Sequence, residues 1–366
     1  MPDDKEIKYW IGFTRVAGIG RVRLSLLKAH FGSLASAWKA PRPELLKAGL
    51  DAGATDSLLA SRPDIDLDKD LSLVEKYKIK VITFESPDYP AILKETHDHP
   101  AVLYVRGEIA PADSESVAVV GTRKATAYGR QVTEDIVSNL ALNGITITSG
   151  LARGIDTIAH RSALEAGGRT IAVFGCGLDI VYPPENLKLA KDIIGNGALV
   201  SEHPPGVRPR PENFPRRNRI MSGLCRGVLV VESGEKSGAL ITVSFALDQN
   251  REVFAVPGSI FSGMSRGPNR LIQEGAKLVR NHLDILEELQ LPVVARQIEM
   301  QDPLAPAGNE SIIIKYISGE PAHVDEICRA SGLDTSTVVS CLAIMELNGL
   351  VRQTGGMTYT LNSRLK

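Results

Sequence analysis

Between residues 78 and 290, short apolar runs rich in β-branched residues alternate with segments of helical period. Most of the runs are apolar at consecutive positions, which is typical of strands buried on both faces of a parallel sheet. One helix-like segment separates each pair of successive runs, so the sheet is expected to be doubly wound. The predicted strands are KVITFE, SVAVVG, GITITSG, RTIAVFG, GALVSE, GVLVVE, EVFAVPG and AKLVR. The pattern therefore predicts an α/β fold built on a doubly wound, mostly parallel sheet.

The pattern changes on either side of this region. Residues 1 to about 65 contain four helix-like segments, KYWIGFTRV, RVRLSLLKAHFG, SLASAWKA and PELLKAGL. The glycine turn AGIGRVR (17–23) is typical of a helix-hairpin-helix, whose backbone N–H groups can hold a DNA phosphate, but a plain pair of packed helices explains it too.

The C-terminal part has a pattern of its own. Three helix-like segments (ESIIIKYISG, HVDEICRASG and DTSTVVSCLAIMELNGL) and a hairpin-like VRQTGGMTYTL predict a winged helix. The third helix carries no Arg or Lys, which favours a protein-contact or accessory role over sequence-specific reading of DNA. The predicted organisation is a helical domain (1–70), a core (71–290), a linker rich in proline and small residues (291–308) and a winged helix (309–366).

The overall charge is balanced, with 42 Lys and Arg against 43 Asp and Glu. Any nucleic-acid surface must therefore be a local patch. The chain shows no apolar leader and no run long enough to span a membrane. Its four cysteines are scattered, without the spacing of a disulfide framework or a zinc site. We expect a cytoplasmic protein with reduced thiols, no metal and no membrane partner.

The densest local charge lies in GVRPRPENFPRRNRIMSG (206–223), where a single acid, Glu212, interrupts five arginines. Guanidinium groups pair with phosphate oxygens in a fork geometry. The segment lies between two predicted strands, which places it beside the sheet rather than in a tail. This combination predicts a polyphosphate or nucleic-acid site. The arginines are Arg208, Arg210, Arg216, Arg217 and Arg219.

Four glycine-containing loops follow predicted strands, and three of them also carry hydroxyl or basic side chains. In an open α/β sheet, ligands bind at the carboxyl ends of the strands, where loops lead into helix N-termini. Their convergence predicts a site for an anionic ligand. The residues are Gly121, Thr122, Arg123 and Lys124 in the first loop, Ser149, Gly150 and Arg153 in the second, Gly175 and Gly177 in the third, and Lys236, Ser237 and Gly238 in the fourth.

Several cofactor sites and enzyme classes are disfavoured. After Gly175 and Gly177, the third glycine of a dinucleotide fingerprint is replaced by Ile180, and no GxxxxGK[ST] motif occurs. Asp156 and His160 are four residues apart on one predicted helix, but a helix cap and a packed histidine explain them more simply than a catalytic dyad. We expect no cofactor and no enzymatic activity.

The motifs in order are specific enough to resemble one family. They are VAVVGTRKATAYG, ITSGLARGIDTIAH, TIAVFGCGLDIVYPPEN, LVSEHPPG, NFPRRNRIMSGL, VVESGEKSGALIT, VFAVPGS and GPNRLIQEGAKLV. They resemble the DNA-processing protein A (DprA/Smf) family, collinearly across about residues 100–290. The helical N-terminal part and the winged helix resemble the common three-domain form of that family.

The resemblance implies an extended Rossmann-like core, an N-terminal SAM-like or helix-hairpin-helix-like domain and a C-terminal winged helix. It implies a cytoplasmic bacterial homodimer that binds and protects incoming single-stranded DNA during natural transformation and helps to load the RecA recombinase. By motif, the DNA and phosphate site would comprise Gly121, Thr122, Arg123, Lys124, Ser149, Gly150, Arg153, Phe214, Arg216, Arg217, Asn218, Arg219, Lys236, Ser237 and Gly238. Gln273 and Leu278, in NRLIQEGAKLV (269–279), would belong to a self-association and recombinase-contact surface.

Two other functions remain open at this point. The same residues would suit a nucleotide-binding or nucleotide-hydrolysing enzyme of a related Rossmann-like class, with the PGS loop (257–259) in its phosphate site. Such relatives show a longer glycine-rich run with catalytic Arg and Glu, which PGSIFSGMSRGPN does not contain. A winged-helix regulator with an effector-sensing core is the third possibility, and the uncharged third helix disfavours it.

Overall fold

The computed structural model describes residues 4–292, 308–317, 321–347 and 350–361. The predicted linker lies almost entirely outside these residues. The chain divides into two compact units, residues 1–294 and 295–366.

The first unit begins with six helices around a buried aromatic group. Trp10, Phe13 and Trp38 lie at its centre, with the rings of Phe13 and Trp38 edge-to-face at 4.9 Å. The same hydrophobic cluster continues into the sheet through Tyr104 and Phe174, so the helices and the sheet share one core. The helices are α1 (Asp4–Thr14), α2 (Arg21–Phe31), α3 (Leu34–Lys39), α4 (Arg42–Lys47), α5 (Ala52–Ser61) and α6 (Leu67–Lys76).

A nine-stranded sheet follows, in the order β1-β2-β6-β5-β4-β3-β7-β8-β9. The seven strands from β6 to β9 in this order are parallel, whereas β2 pairs antiparallel with both β1 and β6. This confirms the predicted doubly wound, mostly parallel sheet. The strands are β1 (Lys80–Thr83), β2 (Val102–Gly107), β3 (Ser116–Val120), β4 (Thr146–Ser149), β5 (Thr170–Phe174), β6 (Gly197–Ser201), β7 (Gly227–Val230), β8 (Glu252–Ala255) and β9 (Lys277–Leu278).

Strand β2 is absent from the predicted strands, although VLYVR is an apolar, β-branched run. It follows a segment rich in His and Pro and has no helix on its N-terminal side that matches the alternating pattern. It extends the sheet by an antiparallel pair at one margin.

Helices cover both faces of the sheet. Strand residues alternate between two cores, so that Val117 and Val119 pack with α8 and α9 whereas Ala118 and Val120 pack with α11 and α12. The helices are α7 (Ala91–Lys94), α8 (Ala127–Leu142), α9 (Ile155–Glu165), α10 (Leu187–Gly195), α11 (Asn213–Gly223), α12 (Gly238–Asp248), α13 (Arg266–Gln273) and α14 (His282–Glu288).

The strand order reverses next to β3. From β3 the chain builds outward through β4, β5 and β6, then returns to place β7 on the other side of β3. The side at which the parallel strands terminate is called here the carboxyl end of the sheet. In open α/β folds the ligand site lies at this end, near the reversal.

The second unit has the order helix, strand, two helices and a hairpin. A buried cluster that includes Ile313, Val324, Val338, Leu342 and Tyr359 holds it together. This topology confirms the predicted winged helix. Its elements are α15 (Asn309–Ile317), β10 (Ala322–His323), α16 (Val324–Ser331), α17 (Thr335–Leu347), β11 (Val351–Gly355) and β12 (Thr358–Leu361), with the sheet order β10-β12-β11.

Candidate nucleic-acid interface

Helix α11 lies across the carboxyl ends of β4 and β5. A Cβ at Gly150 would collide with the guanidinium group of Arg217, and one at Gly175 would lie 3.1 Å from the ring of Phe214. A side chain at Gly150 would displace the Arg217 guanidinium group, and one at Gly175 would push the Phe214 ring by a few tenths of an ångström, because α11 already fills this space. This packing brings the predicted second and third loops together with the arginine-rich segment.

The loop after β3 is held from two sides. Thr122 N–H donates to the carbonyl of Glu232 at 2.7 Å, and the Thr122 carbonyl accepts from Ile155 N–H at 3.1 Å. Gly154, with a positive φ of 77°, packs against the backbone of this loop so closely that a Cβ there would collide with it. The loop is thus fixed between β7 and α9, and it presents the exposed side chains of Arg123 and Lys124.

The N-terminus of α8 is occupied by a carboxylate of the protein itself. Glu232 is 1% exposed and accepts hydrogen bonds from the backbone N–H, at 3.0 Å, and the hydroxyl of Thr126. A helix N-terminus favours an anion, and in Rossmann-like folds this position often holds a phosphate. Because Glu232 already supplies the negative charge, the site disfavours a nucleotide phosphate at α8. Phosphate recognition is left to side chains.

Two opposite charges lie beneath the loop after β4. The buried Asp156 carboxylate accepts from Gly150 N–H at 3.1 Å and Ala152 N–H at 3.3 Å, which closes the loop. Arg217 is 5% exposed and donates to the carbonyl of Val173. Burial raises the pKa of Asp156, and the positive charge of Arg217 opposes that shift. The two residues therefore stabilise each other's charged form from inside the protein.

His160 lies in the interior, one turn beyond Asp156. Its Nδ1 is 2.7 Å from the hydroxyl of Thr170, which in turn donates to the carbonyl of Ile147. Burial, reinforced by the nearby Arg217 cation, lowers the pKa of His160 to about 3, so the ring is neutral at physiological pH. This placement supports the structural interpretation of the Asp156–His160 spacing.

The arginine-rich segment divides into three groups. Arg208, Arg210 and Arg216 are exposed, whereas Arg217 is buried. Arg219 forms an ion pair with Glu202 and donates to the carbonyl of Asp98 at 2.8 Å.

Three of the residues that the resemblance assigns to gripping a strand thus have contacts within the protein. Asn218, 9% exposed, lies with its Nδ2 3.4 Å from the carbonyl of Gly238 and joins α11 to the start of α12. Together with Arg217 and Arg219, it fixes the position of α11. The placement differs from the expectation because α11 packs on the sheet along the face that carries these side chains. In the second loop, Arg153 is exposed but forms an ion pair with Glu185, and Ser149 is buried with its hydroxyl donating to the carbonyl of Val119 at 2.6 Å.

Six other exposed basic side chains lie around the carboxyl end of the sheet. Within residues 4–292, these side chains form no hydrogen bond and no ion pair. They are called here the cationic surface: Arg123, Lys124, Arg208, Arg210, Arg216 and Lys236. Each follows the carboxyl end of a strand or lies in the first turn of α11.

An aromatic pair borders the cationic surface on the β5 side. The half-buried ring of Phe214 lies 5.4 Å from that of Tyr182, whose side chain is 46% exposed. Sequence reasoning missed Tyr182, because the loop after β5 was considered only for its glycines. The YPP sequence in that loop was the available signal.

The two remaining predicted residues lie near the other margin of the sheet. Gln273 is exposed at the end of α13, and Leu278 is 40% exposed on the outermost strand, β9. Among the described residues, no group of three His, Cys, Asp or Glu side chains could hold a metal ion. No helix in the described ranges is long and apolar enough to span a membrane.

Fold and site together define an open α/β protein with a cationic carboxyl end and a winged helix. A family model described as "DNA recombination-mediator protein A" matches residues 80–290, and one described as "DprA winged helix domain" matches 299–357. The chain belongs to the DNA-processing protein A (DprA/Smf) family, which confirms the resemblance seen in its motifs.

The similarity to known members extends over most of the chain. Protein Smf of Synechocystis is 34% identical over 97% of this chain and 99% of its own length. DNA processing protein DprA of Bacillus subtilis is 46% identical, covering 60% of this chain and 74% of the relative.

Two solved structures are similar to this one. DprA from Streptococcus pneumoniae gives a TM-score of 0.66 at 37% identity and covers 77% of this chain and 97% of that one. DprA from Helicobacter pylori, whose structure is described in terms of its single-stranded DNA binding mode, gives a TM-score of 0.52 at 31% identity. It covers 58% of this chain and 96% of that one.

Proposed function

We propose that this protein binds single-stranded DNA along the carboxyl end of its sheet. In this way it would protect incoming strands during natural transformation and help to load the RecA recombinase onto them. The observation that carries the proposal is the cationic surface, six exposed and uncommitted basic side chains beside an accessible aromatic pair. Basic grooves that track the backbone, combined with aromatic rings that stack on bases, are the general means of binding single strands. The single-stranded DNA binding named for the Helicobacter relative supports it.

The same arrangement favours a single strand over other anions. The faces of Phe214 and Tyr182 can stack only on bases that are not already stacked in a duplex. Glu232 closes the N-terminus of α8, which disfavours a free nucleotide. The nucleotide-enzyme alternative is therefore kept as an outcome of the experiment below.

The proposed site assigns the candidate residues to three roles. Exposed cations contact phosphates, Phe214 stacks on a base, and the remaining residues shape the loops or hold α11. The cations are Arg123, Lys124, Arg216 and Lys236; the loops are shaped by Gly121, Thr122, Ser149, Gly150, Arg153, Ser237 and Gly238; and α11 is held by Arg217, Asn218 and Arg219.

The proposal includes two further partners, a second copy of the chain and the recombinase, which the family and the exposure of two residues support. Leu278 and Gln273 lie exposed at the β9 margin, where a second copy of the chain or the recombinase could dock without covering the cationic surface. The proposal also includes a cytoplasmic location, a helical domain (1–70), a core (71–290) and a winged helix (309–366) with an accessory role.

The test is a titration against a fluorescent single-stranded oligonucleotide at two salt concentrations, with duplex and nucleoside phosphates as competitors. Binding should weaken steeply with salt, because neutralised phosphates release counterions. Arg123→Ala should weaken binding and lower the slope of log K against log salt by about 0.7, the value for one single-strand phosphate contact.

Arg226→Ala is the matched control. Arg226 is half-buried and lies at the opposite, amino end of β7, where it pairs with Glu115. This variant should bind like the wild type. Equal affinity of Arg123→Ala and the wild type would place the site elsewhere, and displacement of the strand by a mononucleotide would favour the nucleotide enzyme.

A further inference from the structure

The loop between β8 and α13 exposes two large apolar side chains in succession. Ile260 is 78% exposed and Phe261 is 93% exposed, the highest exposure of any large hydrophobic side chain in the described part of the chain. These two residues are called here the apolar tip. Folding gains nothing from leaving an aromatic ring in water, because burial of apolar surface is what stabilises the fold. The two side chains are therefore free to contact a ligand.

The loop that carries the apolar tip is held in place. Asn269 fixes its start with two hydrogen bonds to Gly258, one to the N–H at 3.1 Å and one to the carbonyl at 2.9 Å. Ser259 turns the chain, with its carbonyl accepting from Ser262 N–H at 3.0 Å. The apolar tip is thus presented by a built turn, which lowers the entropy lost when a ligand binds.

The same loop is attached to the elements that carry the cationic surface. The hydroxyl of Tyr128, four residues after Lys124, donates to the carbonyl of Pro257 at 2.6 Å. The N–H of Ser233, three residues before Lys236, donates to the carbonyl of Met264 at 2.8 Å. The apolar tip therefore borders the cationic surface on the β8 side.

Aromatic side chains consequently flank the cationic surface on both sides. Phe214 and Tyr182 lie at the end of β5, and the apolar tip lies at the end of β8. Four strand spacings separate β5 from β8 in the order β5-β4-β3-β7-β8. At about 4.8 Å per spacing, the two aromatic positions are about 19 Å apart along the sheet.

We propose that the apolar tip is a second base-stacking contact, at which Phe261 stacks on a base of the strand whose phosphates lie on the cationic surface. This inference rests on the proposed function and adds to it the path of the strand, from Phe214 across β4, β3 and β7 to Phe261. The occupant is a nucleobase because the loop that carries the ring is hydrogen-bonded to the segments that bear Lys124 and Lys236, and an aromatic ring combined with cations is what single-stranded nucleic acids require.

Fluorescence of Phe261→Trp tests the contact directly. The native tryptophans, Trp10 and Trp38, are 0% and 7% exposed, so the new side chain supplies the solvent-exposed emission. Stacking on thymine should quench it when oligothymidylate is added. Leu247→Trp is the matched control. Leu247 is 62% exposed at the C-terminal end of α12, which lies at the amino end of the parallel strands, away from the cationic surface. Quenching at position 261 but not at 247 is expected. Unchanged emission at 261 while anisotropy shows the oligonucleotide bound would overturn the inference.

Affinity provides the second measurement. Phe261→Ala removes a side chain with almost no packing, so the fold should persist, and loss of one stacking contact should weaken binding of a long oligothymidylate about tenfold. Phe261→Tyr should restore it, because the stacking face is retained. Oligonucleotides too short to reach from Phe214 to the apolar tip should bind the wild type and Phe261→Ala with equal affinity.

The outcomes separate this inference from the proposed function. If Arg123→Ala weakens binding but Phe261→Ala does not, the strand lies on the cationic surface and the inference alone fails. If neither variant differs from the wild type, the proposed function fails as well. If Phe261→Ala turns a dimer into a monomer in sedimentation without changing oligonucleotide affinity, the apolar tip is a contact between copies of the chain and the inference is overturned.

Discussion

Arg217→Ala should lower the free energy of unfolding of the first unit, whereas substitution of the neighbouring Arg216 should not. Arg217 is 5% exposed and donates to the carbonyl of Val173, beneath the loop that Gly150 begins. Its charge also offsets that of the buried Asp156. Arg216, one residue away, is exposed and uncommitted among the described residues.

The size of the effect follows from these contacts. A hydrogen bond from a charged donor contributes about 1.5–3 kcal/mol, and its loss leaves the Val173 carbonyl unsatisfied. The Asp156 carboxylate would also remain buried without its opposing charge, which adds to the loss. We expect a loss of about 3 kcal/mol or more in the free energy of unfolding, a large fraction of the roughly 5–15 kcal/mol that holds a native protein.

Urea unfolding followed by circular dichroism measures this loss. With a denaturant slope of about 3 kcal/mol per molar, the midpoint should fall by about 1 M. Arg216→Ala should stay within about 0.5 kcal/mol of the wild type. In the Arg217→Ala background, Asp156→Asn should recover part of the loss, because it removes the uncompensated charge.

One result would refute the reasoning: a wild-type urea midpoint for Arg217→Ala together with weakened DNA binding. It would mean that Arg217 reaches the ligand and contributes little to the interior. Loss of stability with no recovery in the Asp156→Asn double variant would instead show that the two charges do not compensate each other.

Three further predictions concern pH, assembly and the second unit. Burial lowers the pKa of His160 to about 3, whereas an unfolded histidine titrates near 6.5, so its contribution to stability is present above pH 6.5 and lost as pH falls toward 3. The free energy of unfolding should fall by up to about 1.4 kcal/mol per pH unit between pH 6.5 and 3. His160→Gln should reduce this dependence on pH in urea unfolding, and an unchanged dependence would contradict the lowered pKa of His160. Leu278→Arg should sediment as a monomer if the β9 margin is the self-association surface, and a persisting dimer would exclude it. Deletion of 295–366 should leave single-strand affinity largely intact, because the cationic surface lies within residues 4–292; a large loss would show that the winged helix contributes much of the binding.

Much of the core could be predicted from sequence because its signals are local. A strand buried on both faces is expected to be apolar at successive positions, and seven of the eight predicted strands show such a run, GITITSG being the exception. The winged helix was equally visible, since helical periods and a glycine-containing hairpin follow each other without interruption. Strand β2 was missed because it breaks the alternation of strand and helix on which the prediction depends.

Whether each arginine is exposed or buried could not be predicted in the same way. Arg216 and Arg217 are neighbours with the same chemistry, and the helical period turns them about 100° apart. Which of the two faces the sheet depends on how α11 packs over β4 and β5, which is a property of the assembled core. The sequence predicted an anionic ligand from a local excess of charge, but could not divide that excess into exposed and buried arginines.

By itself, then, the sequence determined the order of most elements, the family and the segments that carry the chemistry, because these depend on residues close together along the chain. Only the tertiary structure decided which side chains meet. Glu232 reaches Thr126 across 106 positions, and Tyr182 reaches Phe214 across two secondary structure elements. It also decided that Phe261 remains in water while Arg217 does not. Burial is set by what packs against a residue from distant parts of the chain, and no local pattern encodes that partner.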